Sequence, residues 1–186
     1  TDYVALEQIG VDAQGRFSDA NDYIIQAMFK LYPWEQMFQD TYGQYVPKAG
    51  VRWLEPPWKA ILSNKGLLPL LWQMFPDHPN LLPSFFEGDP AANALSGGYV
   101  RKPLFSREGA NVEWVEPSGR RYTVDGPYGA EGHIIQALHP LPRFAGNYTV
   151  IGSWVVRGEP VGLGIREDST QVTRDTSRFL PHAIIG

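Results

Sequence analysis

Apolar and polar positions along this chain change their rhythm partway. Early on, Ile24, Ile25, Met28 and Phe29 fall at the spacing of one helical face, which predicts a helix over 22–31 with Ser18 or Asp19 as its N-cap. Before it, 6–17 reads as strand, turn and strand, with Asp12 and Gly15 making the turn. Pro33 ends the helix and can open the next, predicted over 34–41. A loop then leads into a short strand, VRWLE. The stretch PPWKAILSNKGLLPLLWQMF is apolar at helical spacing, but Gly66 and Pro69 interrupt it. Two short helices with a break near 64–68 are expected.

The second part is different. Segments 99–105, 112–116, 121–124, 133–137, 149–156 and 160–166 read as strands punctuated by Gly and Pro. Segment 87–98, polar and rich in small residues, reads as a loop. A helix-rich first part and a strand-rich second part give an α+β class, with helices packed on a mostly antiparallel sheet.

Composition narrows the function classes. The chain has 186 residues, 43% hydrophobic and 19% charged, enough for one domain or two small lobes with a core of their own. With 0 Cys there is no disulfide, no thiolate chemistry and no cysteine-based zinc site, which fits a cytoplasmic setting. A net charge of -4 with interspersed signs argues against a nucleic-acid surface. No apolar run is long enough to span a membrane, and TDYVALEQIG has neither part of a secretion signal. His78, His133, His139 and His182 form no HxxxH or HExxH pair. No GxSxG and no P-loop occurs, and GVDAQGRFSD lacks calcium-loop spacing.

Five stretches remain as candidate chemistry. Lys65 stands at the helix break; on pattern alone it is a solvated lysine. Lys102 is less easily dismissed. It precedes Pro103 in a strand, and alternation sends Arg101 and Lys102 to opposite faces. One of them must face the interior, where a lysine needs an anion or a polar cleft. The loop Ser106, Arg107, Glu108, Gly109, Ala110 and Asn111 offers backbone N–H groups that could form a phosphate nest. HIIQALHPLPRF ends a strand at Pro140 and Pro142; this is a plain strand end, or a hinge whose backbone could meet an adenine ring. GLGIREDSTQVTRDTSRF alternates charges, as a solvated face or as the wall of a site.

EPPWKAILSNKGLLPLLW, YVRKPLFSREGAN, IIQALHPLP, GSWVV and GLGIRED with DTSRF, in this order, resemble the glutathionylspermidine synthase family of ATP-grasp ligases. The resemblance covers about two-thirds of the chain, from Glu55 onward. It implies an ATP-grasp-like fold, here the C-terminal half of a larger synthetase. Residues 1–60 would be a helix-rich lead-in, 61–140 an ATP-binding lid-type subdomain, and 141–186 strands of the central sheet. It further implies that Lys65 and Lys102 meet ATP phosphates, and that Ser106, Arg107, Gly109, Ala110 and Asn111 form the phosphate loop. Gln136, Ala137, Leu138 and His139 would hold adenine through backbone groups, with Arg166 near the nucleotide.

The implied substrates are a glutathione-like acid and a polyamine-like amine, joined through an acyl phosphate with ATP and Mg2+. The family's magnesium-binding Asp, Glu and Asn lie upstream of these blocks, so no metal ligand is expected in this chain, and the fragment alone is expected to be inactive. Val150 stands where some members have a polar nucleotide contact. The competing reading is a non-catalytic assembly module that docks on a partner chain.

Overall fold

The computed structural model describes residues 2–184. They fall in two compact units that meet between Asn64 and Lys65 in the chain.

In the first unit, strands β1 (Gly10–Val11) and β2 (Phe17–Ser18) pair antiparallel around a turn. The Asp12 carboxylate accepts from the Gln14 and Arg16 amides and fastens that turn. The helix expected over 22–31 does not form. The Asp19 carboxylate instead accepts from the Asn21 and Tyr23 amides, folding 19–23 into a turn rather than capping a helix. The chain continues as strand β3 (Ala27–Phe29), which pairs in parallel with β4 (Arg52–Leu54). The four apolar residues were a short window in which helical and extended spacing are hard to separate, and the VRWL segment supplied a strand partner. Only Ile25 and Met28 of the four pack on the core; Phe29 is 69% exposed.

Pro33 does start a helix, but α1 (Trp34–Met37) is a single turn, shorter than expected. The lead-in is therefore poor in helix. An aromatic cluster holds it together: Phe17, Trp34, Val46, Ala49 and Trp53 are buried, with Trp53 edge-on to Phe17 at 5.6 Å and to Trp34 at 5.2 Å. Helix α2 (Ala60–Ser63) closes the unit.

Backbone at Asn64 is extended, so the break falls where Gly66 and the following Leu-Leu-Pro predicted it. Helix α3 (Leu67–Met74) then opens the second unit, with Pro69 in its first turn, where the missing N–H costs nothing. It packs against β5 (Ser84–Phe86). That strand is the edge of a five-stranded antiparallel sheet made with β6 (Tyr99–Pro103), β7 (Glu113–Val115), β8 (Arg121–Thr123) and β9 (His133–Ala137). The order across it is β5-β9-β6-β7-β8. A second antiparallel sheet runs β10 (Arg143–Phe144), β11 (Asn147–Val156), β12 (Glu159–Asp168) and β13 (Arg178–Leu180) in order. The expected single sheet is thus several, but the α+β class and the antiparallel majority hold. Segment 87–98 contains a helical turn, Pro90–Ala94, capped by the Asp89 carboxylate. Among the described residues no helix is long and apolar enough to cross a membrane.

Candidate functional site

Strand alternation on β6 decides which cation faces inward. Val100 lies opposite Gln136 and Lys102 opposite Ile134, so these four share one face. Arg101 goes to the other, where it donates to Glu87 at 2.6 Å and lies 3.0 Å from the His133 ring nitrogen. The Arg101 guanidinium holds the Glu87 carboxyl below its usual range. That face is an ordinary ion-pair cluster.

Lys102 is set differently. Its ammonium donates to the Gln136 side-chain oxygen at 2.7 Å, and the Gln136 amide donates to the Ser84 hydroxyl at 2.9 Å. Ile134 beside it is fully buried. A neutral amide cannot compensate for lost hydration, so burial pushes Lys102 down to about 8, with the charge of Lys65 adding to the effect. Lys65 reaches the same place from the helix break. Its backbone N–H donates to the Leu104 carbonyl at 2.9 Å and its ammonium to the Ser106 carbonyl at 2.7 Å. The Lys65 ammonium thus sits at the start of the glycine loop, near enough to Lys102 for its charge to be felt there.

That loop is a turn with Glu108, Gly109 and Asn111 all at positive φ. A Cβ on Gly109 would come within 2.4 Å of Val172 and 3.0 Å of the Thr173 carbonyl. Glycine is needed there because the turn at 169–177 presses against it. Asn111 braces the loop from its far end, where its side chain donates to the Gly126 carbonyl and accepts from the Tyr128 amide, each at 2.8 Å. Ala110 closes the turn through its amide to the Arg107 carbonyl.

The turn at 169–177 is organised by Asp168, at the end of β12. Its carboxylate accepts from Ser177 at 2.6 Å, from the Thr170 amide at 3.0 Å and from Arg174 at 3.2 Å. These donors, the Ser177 hydroxyl foremost, hold the Asp168 carboxyl far below the usual carboxylate range. Arg166 donates to the Arg174 carbonyl and lies 5.0 Å over the Phe179 ring. The Nε atoms of Arg166 and Arg174 are both buried without a hydrogen-bond partner.

Among the hinge residues, Gln136 spends its side chain on Lys102, and the Ala137 and Leu138 amides donate to the Pro83 and Gly98 carbonyls. Those donors are already used; His139 is exposed. Leu138 also lines a cleft of 420 Å3, with Trp114, Glu116, Pro117, Ser118, Pro140 and Gln171. That volume suits a small planar ligand. Trp114 stacks on Tyr122 at 4.3 Å, and its indole N–H is buried without a partner.

Trp114 and Gln171 are the residues sequence reading missed; Asp168 and Arg174 stood in the charge-alternating stretch read as a solvated face or the wall of a site. The signal for Trp114 was its place in NVEWVE on the strand after the loop; Gln171 shows no local signal. The fit of the expected cofactors differs. The paired ammonium groups and the open loop backbone suit a polyphosphate. For Mg2+, no group of three His, Cys, Asp or Glu side chains able to hold a metal occurs among the described residues, so no step is assigned to a metal here.

Comparison with known proteins agrees along the whole chain. A family model described as "Glutathionylspermidine synthase preATP-grasp" matches residues 1–185. A Haemophilus influenzae protein named "Putative acid--amine ligase" is 41% identical over 189 residues, covering 98% of this chain and 48% of that protein. Trypanothione synthetase of Crithidia fasciculata is 27% identical over 199 residues, covering 95% of this chain and 30% of its own. The bifunctional glutathionylspermidine synthetase/amidase of Escherichia coli is 27% identical over 206 residues, covering 97% and 33%. The chain spans about half the length of the first of these relatives and about a third of the others.

Proposed function

Because the chain belongs to the glutathionylspermidine synthase preATP-grasp family, we propose that it supplies the nucleotide-phosphate site of an ATP-dependent carboxylate–amine ligase. The observation that carries this reading is the approach of two ammonium groups, Lys65 on the Ser106 carbonyl at the start of the glycine loop and Lys102 buried beside a neutral amide and within reach of the Lys65 charge. An anion entering there would restore the charge balance that burial denies.

In this reading ATP provides the phosphoryl group that turns a carboxylate into an acyl phosphate, which an amine then displaces to give the amide. The chain's own residues neutralise and align. Lys102 meets phosphate oxygens from strand β6, and Lys65 from the opening of α3. The loop 106–111 lies over the phosphates, held in place where Gly109 packs against the 169–177 turn. Arg166 faces the same negative charge across the 169–177 turn. The cleft between Trp114 and Leu138 takes the adenine ring. Such catalysis is mainly charge neutralisation and positioning.

Residues 61–140 then act as the lid-type part and 141–186 as central-sheet strands of an ATP-grasp fold. The acid is glutathione-like, the amine polyamine-like, and Mg2+ takes its ligands from outside the described residues. A cytoplasmic setting suits these reactants.

Calorimetric titration of ATP into the wild-type chain and Lys102→Met tests the site. Loss of one charged hydrogen-bond donor should weaken binding about 10- to 100-fold. Equal affinity in the two would remove Lys102 from the site. The assembly-module reading keeps one observation in its favour, the exposed apolar half of the β11–β12 hairpin, where Ile151 and Trp154 stand in solvent.

A further inference from the structure

Ser84, Gln136 and Lys102 stand on three adjacent strands, β5, β9 and β6. Register sets Ser84 directly opposite Gln136, and Lys102 two residues along, opposite Ile134. The three side chains therefore share one face of the sheet. They form a single run of hydrogen bonds. Lys102 donates to the Gln136 oxygen at 2.7 Å, the Gln136 amide nitrogen to the Ser84 oxygen at 2.9 Å, and the Ser84 hydroxyl to the Leu82 carbonyl at 2.9 Å. Ser84 is 2% exposed and Gln136 8%, a depth at which polar groups are costly unless bonded. Nothing in LLPSFFEG marks Ser84 from the sequence.

The direction of this run is fixed at its far end. A hydroxyl has one proton, and Ser84 gives it to Leu82. Toward Gln136 the Ser84 oxygen can then only accept. The amide must turn its NH2 to Ser84 and its oxygen to Lys102. The reversed amide would set its oxygen against a hydroxyl with no proton left to give. Without Ser84 that barrier vanishes. A neutral lysine amine can accept as well as donate, so whenever Lys102 loses its proton both amide orientations would be open. Ser84 removes the orientation that favours the neutral amine and keeps an acceptor aimed at the ammonium.

Residue type matters as much as geometry. A glutamate at 136 would pair with Lys102 and cancel its charge, and a methionine would offer no strong acceptor. A neutral amide takes one of the three ammonium protons and leaves the charge uncompensated, with the like charge of Lys65 nearby. We infer that Ser84 is a positioning residue of the phosphate site, orienting the Gln136 amide so that the Lys102 ammonium is held in place without being neutralised.

The lock is a property of the three side chains; its bearing on ATP rests on the function proposed above. A serine that only packed in the sheet would change stability when altered. It would not change the protonation of Lys102, and its effect on ATP would not depend on Lys102 being present.

The test uses the 186-residue chain. NMR of the lysine Cε signals follows Lys102 through its titration, which in the wild type has its midpoint at about 8. Calorimetry at pH 7 measures ATP affinity in the same proteins, and unmoved backbone amide signals of β6 and β9 report an intact sheet. Ser84→Ala should shift the Lys102 midpoint downward and weaken ATP binding about 3- to 10-fold. Gln136→Glu should shift the midpoint upward and weaken ATP binding at least about tenfold, because the new carboxylate competes with phosphate for the ammonium. Ser84→Ala added to Lys102→Met should cost no further affinity. A Lys102 midpoint unmoved by Ser84→Ala overturns the inference, as does an equal loss of ATP affinity from Ser84→Ala with and without Lys102. So does Gln136→Glu binding ATP like the wild type where Lys102→Met has lost it. The proposed function fails separately: if Lys102→Met binds ATP like the wild type, the phosphate reading goes, while a midpoint lowered in Ser84→Ala still shows the lock.

Discussion

Lys102 carries a charge-burial cost that deprotonation removes and a bound anion would relieve. Its folded pKa is about 8 against 10.5 for an ordinary lysine, so the protonated form is disfavoured by about 3 kcal/mol on folding. The unfolded chain binds the extra proton between those values. The cost is therefore fully present below pH 8 and disappears as pH rises through 10.5. A polyphosphate beside the ammonium reverses the preference. At pH 8 about half the Lys102 groups are neutral, so binding ATP should take up about half a proton per site, falling to about a tenth at pH 7. Titrations in buffers of different ionisation enthalpy measure this directly. Lys102→Met should abolish the uptake, whereas Lys59→Met, at a surface pair with Glu55, should not. Uptake that persists in Lys102→Met would move the titrating group elsewhere.

At the scale of elements, the glycine loop and the 169–177 turn act as one unit, because Gly109 leaves no room for a side chain against Val172. Gly109→Ala meets both a positive φ and a 2.4 Å clash, and should cost roughly 1–3 kcal/mol in chemical denaturation. Adding Val172→Ala removes the clashing Cγ but not the backbone strain, so the pair should recover part of the loss and show a coupling of about 1 kcal/mol. Strict additivity would mean that the two segments do not touch. This contact also explains what the sequence could not reveal. The strands with clear Gly and Pro boundaries were legible: 133–137 was read to its ends, and the break at Asn64 fell where Gly66 and Pro69 placed it. Residues 22–31 misled because four apolar positions fit a helix until VRWL supplied a strand partner. Asp168 and Arg174 could be read only as a charged stretch, solvated face or site wall, and Gln171 not at all, since their shared place is a turn folded against a loop some sixty residues earlier. Lys65 and Lys102 could be named as cations from the sequence, but their approach to each other needed the backbone bond from Lys65 to Leu104.

On the whole molecule the net charge is -4, so the long-range field does not draw a nucleotide in. In the proposed function, affinity would have to come from local features: the two ammonium groups, loop amides and the cleft lined by Trp114 and Leu138. No cluster of His, Cys, Asp or Glu able to hold a metal accompanies them among the described residues. With no three-ligand metal site among the described residues, the proposal expects a metal ion to weaken the phosphate charge that the ammonium groups read. ATP in excess chelator should therefore bind at least as tightly as ATP with Mg2+, the two agreeing within about tenfold. Relatives that span two or three times this length have room for the metal ligands elsewhere. The same chain given ATP, Mg2+, glutathione and spermidine should release no ADP above background. Calorimetry with and without chelator, and a coupled ADP assay, read the two halves of this expectation. Binding that vanishes with chelator, or steady ADP release from these 186 residues, would place a working metal site within the chain and require carboxylates such as Glu167 or Asp168 to leave their present partners.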